Sequence, residues 1–159
     1  YAILKNHYKN IKVYFGYTRD DVKEERLQLY KTGRTNANDG GIDFVMRPVG
    51  RFFQVTEVNN YDKYLLDIDK VMHYPVTFVI KTQDSKDKVK KELEEYIEAR
   101  ANGMEIIQKR YRNAIEEIIT INELHEWMDD LGNEDIDGII RDIDIYYRLE
   151  MNLDADDEN

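Results

Sequence analysis

Five consecutive residues, Val76-Thr77-Phe78-Val79-Ile80, follow Pro75 directly and give way to Lys81-Thr82-Gln83-Asp84. A run this short and this rich in β-branched and aromatic residues, with no polar alternation, reads as a strand buried on both faces. A sheet that holds such a strand needs cover on each side, so the chain is expected to be α/β with helices flanking a central sheet. Its 159 residues suit a single compact domain.

The rest of the pattern fits that frame. Ile42 to Met46 and Arg51 to Val58 read as strands joined by the turn Arg47-Pro48-Val49-Gly50, and they are expected to pair as a hairpin. Arg19 to Tyr30 opens on acidic residues and spaces Val22, Leu27 and Tyr30 as a helix would, which predicts a helix stopping at Gly33. The following TGRTNANDGG is a polar, glycine-containing loop. Asn59 to Tyr74 predicts a helix capped near Asn60 and ended by Pro75, with Tyr64, Leu65, Ile68 and Met72 toward the core. Ser85 caps a further helix reaching Gly103, and Met104 to Ala114 is helical. Ile118-Ile119-Thr120 suits either a short strand or a helix interior. Asn122 to Leu131 forms a helix closed by Gly132, and a last helix, Glu134 to Leu149, places Ile136, Ile139, Ile140, Ile143, Tyr146 and Tyr147 around a wide apolar side.

Within NDGGIDFVMRPVGRFFQVTEV, the period-two rule puts Gln54 and Thr56 on one face of the second strand and Phe53, Val55 and Glu57 on the other. A hairpin can bring Asp43 beside Gln54 and Thr56. Asp43 is then the charged metal ligand, with the Gln54 amide oxygen and the Val55 carbonyl as neutral ones; hard cations such as Mg2+ or Mn2+ take oxygen donors of this kind. A register shift of one residue would present Glu57 in place of Gln54.

These residues carry a resemblance. A glutamate-bearing helix and a Gly/Asn/Asp-rich loop, then Gly40-Gly41-Ile42-Asp43, then an apolar strand containing Gln54, resemble the Mrr-like branch of the PD-(D/E)XK nucleases over about residues 19 to 83. The resemblance implies a restriction-endonuclease-like core, a central mixed sheet flanked by helices, with additional helices C-terminal to it. It implies that Asp43 is the metal-binding aspartate, that Gln54 replaces the usual acid, and that Glu24 or Glu25 is the helix glutamate. Thr56 stands where that pattern has a lysine which orients the attacking water, and a threonine hydroxyl does this poorly. Either Lys81, at the end of the third strand, or Lys63, on the intervening helix, supplies the cation, or activity is weak or lost.

Composition limits the alternatives. There is no cysteine, which removes disulfides, thiolate metal sites and cysteine nucleophiles and fits a reducing compartment. No apolar run approaches a membrane span and no signal-peptide core is present, so a cytoplasmic protein without membrane contact is expected. With Tyr1 in place of an initiator methionine, the chain is compatible with being part of a longer polypeptide. The net charge of -10 is unevenly spread: residues 1–113 carry 21 Lys/Arg against 17 Asp/Glu, and residues 114–159 carry 2 against 16. The first stretch reads as a mildly basic nuclease-like core able to meet DNA, the second as an acidic helical extension packed on it. His7, His73 and His125 lack metal-ligand spacing, and Trp127 has helical neighbours suited to a core.

Three functions follow as expectations. The first is a Mg2+-dependent endodeoxyribonuclease, a restriction endonuclease or its cleavage domain. The second is a nuclease-fold module that has lost its chemistry and binds DNA or a partner subunit. The third is an acidic protein-interaction domain. Cutting both strands of a duplex takes two active sites, so a homodimer, or association with a partner subunit, is expected through residues 134–150.

Overall fold

The computed structural model describes residues 1–33, 41–57, 60–151 and 153. Residues 34–40 of the loop expected from Thr32 to Gly41, with Gly40 of the motif, the strand end at Val58 and the helix start at Asn59 lie outside these. A short helix α1 (Ala2–Tyr8) leads into β1 (Lys12–Phe15) and β2 (Lys23–Arg26), which pair antiparallel as a separate two-stranded sheet. Then come β3 (Gln28–Lys31), β4 (Phe44–Arg47), β5 (Arg51–Thr56), α2 (Tyr61–Lys70), β6 (Val76–Ile80), α3 (Lys86–Ala101), α4 (Glu105–Ala114), β7 (Ile115–Ile119), α5 (Ile121–Asp129) and α6 (Asn133–Met151).

The main sheet has the order β3-β4-β5-β6-β7. Its first three strands are antiparallel neighbours and its last three are parallel, so the sheet is mixed and helices flank it. The run after Pro75 lies between β5 and β7 with every residue buried, as its composition requires. On one face α2, α3 and α4 pack Tyr64, Leu65, Ile68, Leu93, Ile97 and Tyr111 against Val76, Phe78, Ile80 and Ile118. On the other face Leu4 and Tyr8 of α1, with Leu124 and Trp127 of α5, meet Phe44, Met46, Phe53, Val79 and Ile119. The hairpin is present, with Phe44 opposite Phe53. Asn60, Ser85 and Thr120 each cap a helix through the side chain, Asn60 and Ser85 where expected. His7 stacks on Trp127 with ring centroids 3.6 Å apart, a packing role.

The helix expected over 19–30 is not formed. The carboxylate of Asp21 accepts the Thr18 backbone N–H (2.7 Å) and closes one 3-10 turn, Arg19–Asp21, after which Val22 is extended. Val22 and Tyr30, which the helical spacing placed on an apolar face, are exposed, whereas Leu27 and Leu29 are buried. That two-residue period is the period of a strand, and burial of the leucines against the sheet overrides the helical spacing.

Two smaller corrections follow the same logic. Met72 is 85% exposed and not in the core, because α2 ends at Lys70 and Met72 and His73 take left-handed backbone angles (φ 55° and 61°) to reach the strand after Pro75. Residues 115–119, inside the stretch read as a helical extension, form β7; parallel pairing with β6 satisfies their backbone groups, and Ile118 and Ile119 are buried.

Candidate active site

The end of β5 runs past the start of its neighbour. β4 begins at Phe44, opposite Phe53, while β5 continues through Gln54, Val55 and Thr56, paired with β6 alone. Asp43 occupies the resulting gap. Its backbone N–H donates to the Phe53 carbonyl (2.9 Å), and its Oδ2 accepts the Val55 N–H at 2.6 Å, so a carboxylate replaces the next rung of the ladder. In an extended strand the Val55 carbonyl leaves on the same side as its N–H, toward Asp43.

Gln54 is buried, 8% exposed. Its Nε2 donates to the Val55 carbonyl at 3.4 Å, and its Oε1 has no hydrogen-bond partner among the described residues. A buried amide oxygen left unsatisfied costs about 1–3 kcal/mol, and such an atom needs a reason. Thr56 is buried on the same face and shares a side-chain hydrogen bond with Tyr64 of α2. Burial pushes the Tyr64 phenol up to about 12 despite that bond. The structure thus brings Asp43, Gln54, Val55 and Thr56 together, and the register with Phe44 facing Phe53 leaves Glu57 outside the group.

The other expected residues are elsewhere. Glu24 and Glu25 sit on β2, exposed, in the two-stranded sheet. Glu24 pairs with Lys12 (2.7 Å) and accepts from the Tyr14 hydroxyl, and Glu25 lies opposite Val13. Neither is a helix glutamate, since no helix forms there, and α1, the helix before the hairpin, contains no acidic residue. Lys81 donates its backbone N–H to Thr56 (2.9 Å), but its ammonium pairs with Glu57 at 3.1 Å, on the face opposite Gln54. Lys63 is exposed on the first turn of α2.

The sequence reading missed one acid. Asp67 of α2 is buried, 4% exposed, and pairs with Lys70 at 2.8 Å. A Cβ on Gly41, two residues before Asp43, would stand 3.2 Å from its Oδ1. Gly41 has φ +89°, a conformation that favours glycine, so the chain enters the site over a carboxylate it almost touches. A signal existed: Asp67 lies at the edge of the helical arc that buries Tyr64, Leu65 and Ile68, where a carboxylate is out of place unless paired.

No group of three or more His, Asp or Glu side chains able to hold a metal occurs among the described residues. A cation at this site would rest on the Asp43 carboxylate, the Gln54 amide oxygen and the Val55 carbonyl, all hard donors and all borne by one rigid strand and its neighbour. A separate cavity of about 580 Å3 opens between α3 and β7, and three of its four lining cations are engaged by carboxylates: Arg51 and Lys86 with Glu117, Arg112 with Glu94. No helix among the described residues is long and apolar enough to cross a membrane. No family model, curated protein or solved structure matches the chain.

Proposed function

We propose that this chain is a metal-dependent nuclease core acting on DNA, with Mg2+ or Mn2+ held by Asp43, Gln54 and the Val55 carbonyl. The observation that carries the reading is the unsatisfied Gln54 Oε1, buried on the residue before Val55, whose N–H the Asp43 carboxylate holds where β5 outruns β4. A divalent cation would satisfy that oxygen, and when bound it supplies phosphate polarisation and a hydroxide near neutral pH. Asp43 fixes the strand end through Val55 N–H and presents negative charge there, while Asp67, paired with Lys70, lies against Gly41. DNA is the proposed partner, and a two-copy assembly would supply one site per strand. The test is plasmid cleavage with Mg2+ or Mn2+, wild type against Asp43→Ala. Metal-dependent cutting by the wild type alone supports the proposal, and cleavage by neither protein on any DNA overturns it.

One observation favours a second reading, a nuclease-fold module without chemistry. The Thr56 hydroxyl is engaged by Tyr64, and the Lys81 ammonium is turned to the opposite face by Glu57. Neither supplies the cation that the lysine of the resembled pattern would. If Thr56→Lys cuts DNA where the wild type does not, this reading holds; measurable wild-type cleavage removes it.

A further inference from the structure

Helix α6 runs for 19 residues, yet Ile139 is its only buried hydrophobic residue among those described. One side meets the body of the protein: Asp135 pairs with Lys9, Asp142 with Lys5, Glu150 with Lys31, and the Tyr146 hydroxyl donates to that of Tyr1. About a quarter turn away, at 100° per residue, runs a second stripe, Ile136, Ile140, Ile143, Tyr147 and Met151, exposed by 39%, 59%, 56%, 55% and 57%. Its spacings of four, three, four and four residues keep these side chains on one line. Apolar residues so aligned on a surface helix form a contiguous patch of the kind that marks an interaction site.

The charges beside that stripe identify what covers it. Each of its first four members is followed by a charged residue, giving a parallel line Asp137, Arg141, Asp144, Arg148. Residues 114–159 contain two basic residues and 16 acidic ones, and both basic residues are in this line. The order is minus, plus, minus, plus. Two helices related by a two-fold axis and running antiparallel bring the same flank of each together, reversed. Asp137 then faces Arg148 and Arg141 faces Asp144, and the reverse pairs repeat across the axis. On the apolar line the same register interleaves the side chains, with Ile143 beside its own copy at the axis, Ile140 between Ile143 and Tyr147 of the second copy, and Ile136 between Tyr147 and Met151 of the second copy.

We infer that this face of α6 docks a second copy of the chain, antiparallel and about a two-fold axis, with the Asp137–Arg148 and Arg141–Asp144 pairs setting direction and register. The apolar stripe supplies the affinity. Exposed ion pairs contribute little energy each, and the line already holds an intrahelical pair, Arg148 to Asp144 at 3.0 Å, so its effect is on alignment and on rejection of other registers. A strongly acidic segment would otherwise repel its own copy. The inference is independent of the nuclease reading, because it uses no residue of the Asp43 site.

The test uses the full chain in sedimentation equilibrium at low salt, from low to high micromolar concentration. The wild type is expected to shift from monomer to dimer across that range. The double variant Asp137→Arg/Arg141→Asp keeps composition, net charge and apolar stripe but sets Arg against Arg and Asp against Asp in the antiparallel pairing. It is expected to stay monomeric, with a melting temperature equal to that of the wild type at low concentration, where both are monomers. In a chain without native cysteine, a mixture of Ile136→Cys and Tyr147→Cys proteins is expected to cross-link on oxidation, while each alone is not. A wild type that remains monomeric at the highest concentration overturns the inference, as does a double variant that dimerises equally well or cross-linking of each cysteine variant to itself.

Discussion

The Asp43 carboxylate accepts the Val55 backbone N–H at 2.6 Å, a side chain doing the work of a β-ladder rung twelve positions on in the sequence. Two demands therefore fall on one residue: closing the sheet where β4 stops, and presenting charge to a cation. Substitution separates them. Asp43→Asn keeps an acceptor for Val55 N–H and loses the charge, so it is expected to fold with little loss of stability and to bind no divalent metal by calorimetry. Asp43→Ala leaves the Val55 donor without this partner and is expected to lose about 1–3 kcal/mol in denaturant melts as well. Equal stability of the two variants would detach the hydrogen bond from the fold.

Gln54 allows the converse experiment. Gln54→Glu places a carboxylate in a buried position one residue from Val55, which Asp43 holds, and charge there is costly without a counterion. Its melting temperature is expected to fall in chelator and to recover in millimolar Mg2+, more than the wild type gains. Gln54→Leu removes the orphaned oxygen and is expected to match or exceed wild-type stability in chelator while losing any response to metal. A Gln54→Glu protein indifferent to Mg2+ would mean that no cation approaches Oε1.

What was legible in the sequence, and what was not, divides by the range of the forces involved. The buried strand, the hairpin, the Asn60 and Ser85 caps and the helices from α2 onward follow from short-range composition, because a continuous apolar run or a capped amphipathic segment has few other solutions. Grouping Asp43 with Gln54 and Thr56 followed from the expected hairpin together with strand parity. The segment 19–30 was misread because Leu27 and Leu29 are held by burial against distant strands, information absent from the local pattern. Asp67 was missed for a similar reason, since only the tertiary fold reveals that its arc of α2 meets the Gly41 backbone.

Gly41 is the position where the site tolerates least. Its φ of +89° strains any residue with a Cβ, and that Cβ would press on the Asp67 carboxylate at 3.2 Å. Gly41→Ala is expected to cost roughly 1–3 kcal/mol, the usual penalty for a backbone held in a sparsely populated region. The companion variant Gly103→Ala, at φ +78° but with nothing within 4 Å of its Cβ, carries the backbone term alone. Chemical denaturation of both isolates the contact with Asp67. If the two lose the same stability, the approach of Gly41 to Asp67 carries no energetic weight.

Acid should open the opposite end of the sheet before it unfolds the rest. Arg51 of β5 reaches across β6, donating from Nε to the Thr77 hydroxyl at 2.9 Å and from Nη2 to Glu117 of β7, which Lys86 also engages at 3.0 Å. Burial works against the charged form of Glu117, but the hydrogen bonds from Arg51 and Lys86 outweigh it and hold the carboxyl below its ordinary value of 4.5. A carboxyl whose folded value is depressed stabilises the fold fully at pH above the unfolded value, and that contribution is lost as pH falls through the folded one. The wild type is therefore expected to lose stability as pH drops below about 4.5. Glu117→Gln should be less stable near neutrality and show a shallower decline in acid, so the two curves converge at low pH. The group is partly exposed, so the difference should also shrink in high salt. Melting curves against pH in low and high salt provide the check. Parallel curves, with Glu117→Gln declining as steeply as the wild type, would show that protonation of other carboxylates governs the acid limb.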